Sequence, residues 1–106
     1  MQLETKGTKL VVSKVPELTA SNASDIKTEI KAAIEDTHTQ IDIDLSTTGF
    51  VDSSGLGVLI GLHKAMVAKQ GSIRILNPGE SVQQVLELTR LHRLFEVVIS
   101  NPNATE

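Results

Sequence analysis

The chain has 106 residues and a formal net charge of −3, with 40% hydrophobic, 22% charged and only 2% aromatic residues, a composition typical of one compact domain. An acidic chain with so few aromatic side chains lacks the basic surface that nucleic-acid binding requires. With no cysteine and no apolar stretch of roughly 20 residues to span a bilayer, it is expected to be a cytoplasmic protein without disulfides or a membrane segment.

The first half of the chain predicts two strands separated by a helix. Residues 9–13 have an apolar centre with two β-branched valines, Val11 and Val12, which favours a strand. From residue 21 the apolar residues recur at helical spacing, and residues 21, 22 and 24 are candidate N-caps. Residues 41–45 alternate strictly between apolar and acidic, which predicts a strand with Ile41, Ile43 and Leu45 on one face.

The second half repeats the alternation. Residues 53–69 predict a helix that ends near Gly71, residues 72–76 a third strand, and residues 77–79 a turn. The stretch from Ser81 to Gln84 matches a capping box at the start of a further helix, and residues 94–99 predict the last strand. The helical stripe expected to face the core after the 52–57 motif contains Leu56, Leu59, Ile60, His63, Met66 and Val67.

This order predicts an α/β single domain over residues 1–106. We expect a mostly parallel or mixed sheet of about four to five strands with three or more packed helices. Residues 1–99 should form the ordered core and residues 100–106 a polar tail. Loops at the carboxyl ends of the strands are the usual place for function, and one of them carries the motif Asp52-Ser53-Ser54-Gly55-Leu56-Gly57.

Two catalytic or nucleotide-binding interpretations of this motif are disfavoured. Its glycines are spaced Gly55-x-Gly57-x-x-x-Gly61, which is not a dinucleotide fingerprint, and no Walker lysine pattern is present. A catalytic serine would need a base, yet His63 follows Ser53 by ten residues on the same helix, about 15 Å away at 1.5 Å per residue. The G-x-S-x-G elbow is also absent, so no enzymatic activity, cofactor or metal is expected.

Two interpretations remain open from the residues alone. Asp52 or a serine can cap the helix that follows, although three glycines are more than a cap requires. Gly57, Gly61 and Ala65 form a ridge of small residues that can admit either the sheet or a partner. Alternatively, a serine hydroxyl at a helix N-terminus can accept a phosphoryl group. The phosphate and the neighbouring Asp52 carboxylate would together form an intensely negative patch.

The stretch from Val51 to Leu59 resembles the signature of bacterial anti-sigma factor antagonists of the STAS family. That signature is D-S-[ST]-G-L-G followed by an apolar helix with a lysine about eight residues on, which here is Lys64. The resemblance extends over nearly the whole chain: residues 41–45 match the preceding strand, residues 71–75 the next strand, and residues 85–98 the closing helix and strand. It implies a STAS-like single domain.

The resemblance also implies partner switching without any catalysis by the chain. In this family the unmodified antagonist binds an anti-sigma factor that is also a serine kinase of the histidine-kinase-like ATPase fold, and the bound kinase releases its sigma factor. The kinase phosphorylates the serine after the motif aspartate, here Ser53 in preference to Ser54, and a PP2C-type phosphatase reverses this. The residues implied in partner binding are Asp52, Ser53, Ser54, Gly55, Leu56, Gly57, Leu59, Gly61, Glu17 and Thr19.

Three departures from the family pattern bear on the partner. Members often carry G-E-[IL]-D after the second strand, whereas Pro16 and Thr19 stand here in place of the glycine and the acid. Arg90 replaces a glycine before the last leucine, and a terminal helix of many members has no counterpart. The alternative to a monomeric sigma-factor regulator is therefore a STAS subunit that serves a transporter ATPase or another signalling complex.

Overall fold

The computed structural model describes residues 1–99. The apolar segments of the sequence form the central strands of one five-stranded sheet. Strand β1 (Gln2–Lys6) pairs antiparallel with β2 (Lys9–Ser13), and β2, β3 (Gln40–Asp44), β4 (Ser72–Leu76) and β5 (Glu96–Val98) then follow in parallel. Helices α1 (Ala23–Ala33), α2 (Ser53–Ala68) and α3 (Glu80–Leu88) make the crossovers, with a short 3₁₀ helix at Leu91–Arg93. The predicted α/β class is confirmed.

The core is built from rows of aliphatic side chains that run across one face of the sheet. Leu10, Ile41 and Ile73 form one row, and the next row begins at Val12 and Ile43. All of these side chains are buried, as predicted for β3. Because burying one such side chain stabilises the fold by about 1.5–3 kcal/mol, these rows and the helices above them form the main source of stability.

Strand β1 is the element that the sequence pattern does not predict. It lies at the edge of the sheet, and only Leu3 among its five residues is half-buried, so no apolar alternation marks it. Its register pairs Lys6 with Lys9, and the connecting Gly7 has a φ of 63°, which glycine adopts without strain.

The buried face of α2 differs from the predicted stripe. The helix buries Gly55, Val58, Leu59, Leu62 and Met66, whereas Val67, which was expected inside, is 53% exposed. The prediction is right for Leu59 and Met66 and wrong for Val67, because α2 is apolar on nearly all sides and periodicity does not define its inner face.

An ion pair between a buried carboxylate and a partly exposed arginine lies on the opposite face of the sheet. Asp42 is 3% exposed, and its two carboxylate oxygens accept hydrogen bonds from Arg74 Nε (3.0 Å) and Nη2 (2.8 Å). Gln40 also donates to it, and Lys9 Nζ lies 3.7 Å away. Burial raises the pKa of Asp42, but the hydrogen bonds and charges of these neighbours outweigh burial and lower the pKa below its usual value.

Two local predictions in the C-terminal half need correction. Helix α3 begins at Glu80 with Gly79 at its N-cap, so Ser81 lies inside the helix and makes no capping box. Strand β5 starts at Glu96 instead of residue 94, because the 3₁₀ helix and its cap occupy residues 91–94. Arg90 has a φ of 61°, a left-handed conformation that a glycine would adopt without strain. The predicted polar tail, residues 100–106, lies outside the described residues.

Candidate functional site

The loop after β2 and the loop before α2 meet at the carboxyl end of the sheet. Leu18 forms a parallel bridge with Val51, and its N–H donates to the Phe50 carbonyl (2.9 Å). The Leu18 carbonyl in turn accepts from Asp52 N–H (3.1 Å). This short pairing brings Glu17 and Thr19 beside the start of α2, although 32 or more residues of sequence separate the two loops.

Gly55 permits this close approach. A Cβ atom added there would lie 2.0 Å from the Leu18 carbonyl oxygen and 2.7 Å from its carbonyl carbon. Backbone cannot move away as a flexible side chain can, so only glycine fits at this position. The first of the two glycines in the motif at residues 52–57 therefore has a structural purpose: it lets α2 begin directly against the Leu18 loop.

Asp52 is the N-cap of α2, which confirms the helix-cap interpretation. Its Oδ1 accepts from Gly55 N–H (3.0 Å), and its Oδ2 accepts from Ala20 N–H in the other loop (3.0 Å). These backbone donors, Ala20 first and then Gly55, lower the pKa of the Asp52 carboxyl below its ordinary value. The carboxylate is consequently fixed in place and ionised at neutral pH.

A second carboxylate stands next to it. Glu17 Oε2 accepts hydrogen bonds from Ser21 Oγ (2.6 Å) and Thr19 Oγ1 (2.9 Å), which lower the pKa of Glu17 although the charge of Asp52 acts to raise it. Thr19, which replaces the acid of the family pattern, thus supports an acid two residues earlier. The Asn22 side chain completes the loop: its oxygen accepts from Thr19 N–H (3.0 Å), and its amide nitrogen donates to the Glu17 carbonyl (2.8 Å).

Ser53 and Ser54 are the first two residues of α2, and both are exposed. Neither hydroxyl has a hydrogen-bond partner among residues 1–99, in contrast to the two carboxylates beside them. The start of a helix also offers free backbone N–H groups and the positive end of the helix dipole. The site therefore presents two free serine hydroxyls at a helix end that stabilises anions, close to two fixed and ionised carboxylates.

The other predicted partner-binding residues divide into two groups. Gly57 is exposed and Leu56 and Gly61 are half-buried, so they border the surface around Ser53. Leu59 is fully buried and Gly55 faces Leu18, so neither presents a side to a partner, which corrects the predicted set. The sequence pattern did not single out Phe50, which is 60% exposed next to the site; an aromatic residue directly after the Gly49 turn was the available signal.

The histidines are engaged away from the serines. His38 is buried and bonded to Thr5 and to the Glu35 backbone, and His63 packs edge-on against Phe95 with ring centroids 5.7 Å apart. The remaining one, His92, lies against the Leu86 carbonyl (3.3 Å). Over residues 1–99 no group of His, Asp and Glu side chains is arranged to hold a metal ion, and no helix has the length and apolar character to cross a bilayer.

Comparisons with known proteins agree with this geometry. The sequence model of the STAS domain family matches residues 1–104 of this chain. An anti-sigma F factor antagonist of Paenibacillus polymyxa is 26% identical over 96 residues, which cover 90% of this chain and 82% of that protein. A Thermotoga maritima relative is 30% identical over 65% of this chain, and the match spans only 61% of the relative's length.

A solved structure extends the likeness to three dimensions. The Bacillus cell fate determinant SpoIIAA in its phosphorylated form has a TM-score of 0.74 to this chain at 25% identity, with 96% of this chain and 92% of that chain covered. Antagonists of this type are regulatory binding proteins, so the prediction that the chain is not an enzyme is confirmed. The fold, the start of α2 and the match over nearly the full length lead to one conclusion: the chain belongs to the STAS domain family.

Proposed function

We propose that this protein is an anti-sigma factor antagonist of the cytoplasm that acts as a monomer. In the unphosphorylated state it binds an anti-sigma factor, which is also a serine kinase of the histidine-kinase-like ATPase fold, and the kinase then releases its sigma factor. Phosphorylation of Ser53 ends the binding, and a PP2C-type phosphatase restores it. The observation that carries the proposal is the exposed, unbonded Ser53 hydroxyl at the start of α2, directly after the fixed Asp52 carboxylate.

The charge at the site explains how a phosphate would act as a switch. A phosphoserine adds about −1.5 to −2 charges at neutral pH. The free N–H groups at the start of α2 would stabilise that charge, so the modified protein stays folded. Asp52 and Glu17 are already ionised, so the phosphate would produce a strongly negative surface that repels a partner fitted to the unmodified one.

The test uses purified protein, ATP and each kinase of the histidine-kinase-like ATPase fold from the source organism. We expect one kinase to add a single phosphate, which mass spectrometry places on Ser53. Ser53→Ala should abolish labelling and keep kinase binding, and Ser54→Ala is the matched control that should still be labelled. Labelling of Ser54 alone would contradict the assignment to Ser53.

A charge mimic tests the mechanism of release separately. Ser53→Asp should weaken kinase binding by about tenfold or more, which corresponds to about 1.4 kcal/mol. It should leave the free energy of unfolding almost unchanged, because the side chain is exposed. Undiminished binding of Ser53→Asp would exclude charge repulsion. If no kinase binds or labels the wild-type protein, the alternative of a STAS subunit on a transporter ATPase gains support.

A further inference from the structure

A groove runs between α1 and α2 and is lined by residues of both helices. It has a volume of about 360 Å³ and opens at the surface beside the start of α2. Its lining combines small side chains, one cation and two serines, and consists of Ala23, Ser24, Lys27, Ser54, Gly57 and Val58. Ser54 thus forms one wall of the groove, which is continuous with the surface proposed to bind the kinase.

Lys27 lies along the groove and not out in solvent. Its side chain crosses α2 at Gly61, where an added Cβ would lie 2.9 Å from both Lys27 Cε and Nζ. The bare position at Gly61 therefore lets the lysine stem rest on the helix and keeps the ammonium group at the groove. Within residues 1–99 the salt bridges are those of Asp42 with Lys9 and Arg74, so the Lys27 ammonium has no acidic partner there.

Gly57 leaves the middle of the groove open. A Cβ added at this position would meet no atom within 4 Å, and the residue is exposed. Glycine in a helix interior destabilises the helix relative to alanine, and no contact within the described chain requires glycine at this point. Gly55 must be glycine because of the Leu18 backbone, and a Cβ at Gly61 would meet only the flexible end of Lys27, whereas the space above Gly57 is free of any atom of the described chain and is open to an outside group.

The loops at the start of α2 and the neighbouring groove carry opposite charges. Glu17 and Asp52 form the acidic side, where neighbouring hydroxyl and backbone groups already bond both carboxylates. The unpaired Lys27 ammonium forms the basic side, with the Ser24 and Ser54 hydroxyls in the same groove. A partner surface that extends from Ser53 over the groove covers this ammonium, and desolvating an unpaired charge is costly unless the partner brings an opposite charge.

We infer that the α1–α2 groove is a subsite for one aspartate or glutamate side chain of the partner kinase. Lys27 supplies the counter-charge, and Gly57 supplies the clearance that the incoming side chain needs. This inference rests on the proposed function. It also adds to the switch, since a phosphate on Ser53 places negative charge close to the bound carboxylate and repels it.

The experiment measures the dissociation constant of the wild-type protein and its variants with the kinase that labels Ser53. Lys27→Gln should weaken binding about tenfold and Lys27→Glu about a hundredfold, because reversal adds repulsion to the lost attraction. Gly57→Ala should weaken binding about tenfold while it leaves the protein at least as stable as the wild type. Lys31→Gln, one turn further along α1 and outside the groove, is the matched control and should bind within twofold of the wild type.

The outcomes separate the inference from the function on which it rests. If the wild-type protein binds the kinase and both Lys27→Glu and Gly57→Ala bind within twofold of it, the subsite is excluded and the proposed function stands. If the wild-type protein binds no kinase, both fail. Recovery of Lys27→Glu binding by one acid-to-lysine change on the kinase surface would identify the carboxylate that occupies the groove.

Discussion

The two ends of the sheet are held by the same two kinds of contact, but they differ in which polar side chains remain without a hydrogen-bond partner. At the amino end, His38 is fully buried: its Nδ1 accepts from Glu35 N–H (2.9 Å), so its Nε2 carries the proton and donates to Thr5 Oγ1 (3.0 Å). Gly71 lies against the Thr39 carbonyl, where an added Cβ would be 2.7 Å from the oxygen. Two contacts therefore fix the loops at this end. One is a glycine packed against a backbone carbonyl, and the other is a polar side chain that accepts a hydrogen bond from a backbone N–H.

The same arrangement recurs at the carboxyl end. Gly55 packs against the Leu18 carbonyl, and the Asp52 carboxylate accepts a hydrogen bond from Gly55 N–H. The difference is that two serine hydroxyls and the Lys27 ammonium remain without partners within residues 1–99. The comparison indicates that rigidity and binding are supplied by neighbouring but separate residues. Changes to the fixing residues should therefore affect stability at either end, but binding only at the carboxyl end.

The largest effect is expected from Gly55→Ala. The new Cβ would overlap the Leu18 backbone, so the two loops must separate, and we expect the free energy of unfolding to fall by at least about 4 kcal/mol. Kinase binding should be lost as well, because the start of α2 moves. Chemical denaturation measures the first effect, and Gly57→Ala is the matched glycine that should cause no loss of stability. A Gly55→Ala protein of wild-type stability would contradict the close packing.

A smaller effect is expected from His38→Ala at the amino end. The change removes a buried ring and leaves the Glu35 N–H without its acceptor, so the free energy of unfolding should fall by about 2–3 kcal/mol. Thr5→Val, which keeps the ring but removes one bond, should cost only about 1 kcal/mol. The folded His38→Ala protein should still bind the kinase as the wild type does; a change in its dissociation constant would show that the two ends are coupled.

The smallest effect is expected from Asp52→Asn, and it depends on pH. The folded pKa of Asp52 lies below its unfolded value, so its carboxylate stabilises the fold above about pH 4, and this stabilisation is lost as pH falls through the folded pKa. The variant lacks this carboxylate, so its stability deficit should be greatest at neutral pH and shrink on acidification. Urea titrations at pH 7 and near pH 3 measure this difference. Asp36→Asn, exposed and without a side-chain hydrogen bond to residues 1–99, is the control; a deficit independent of pH would contradict the role of the charge.

Sequence reasoning succeeds where one face of an element is polar. The alternation over residues 41–45 predicts which face of β3 joins the hydrophobic core, although Asp42 on the opposite face is also buried, in its ion pair with Arg74. The method fails for α2, whose apolar residues surround the helix, and for β1, whose edge position leaves almost no apolar side chain to detect. The start of α2 packs against Leu18, which is distant in sequence, whereas β1 is held by its hairpin pairing with β2.

The site could be predicted only in part for the same reason. The motif at residues 52–57 predicts a helix cap, and the family resemblance adds Glu17 and Thr19. The short bridge between Leu18 and Val51 that joins these loops has no local signal, because a single pair of residues does not produce a pattern. The sequence also gives no signal that Lys27 lines the α1–α2 groove, because its position on α1 is that of an ordinary surface lysine.

The exposed Phe50 has a practical consequence for optical measurements. The chain contains no tryptophan and no tyrosine, so it emits almost no fluorescence when excited near 295 nm. Phe50 is 60% exposed and lies three residues before Ser53, while its backbone carbonyl stays held by Leu18. Phe50→Trp would therefore introduce one fluorophore at the edge of the proposed kinase surface, and its emission would report docking and phosphorylation in real time against a dark background.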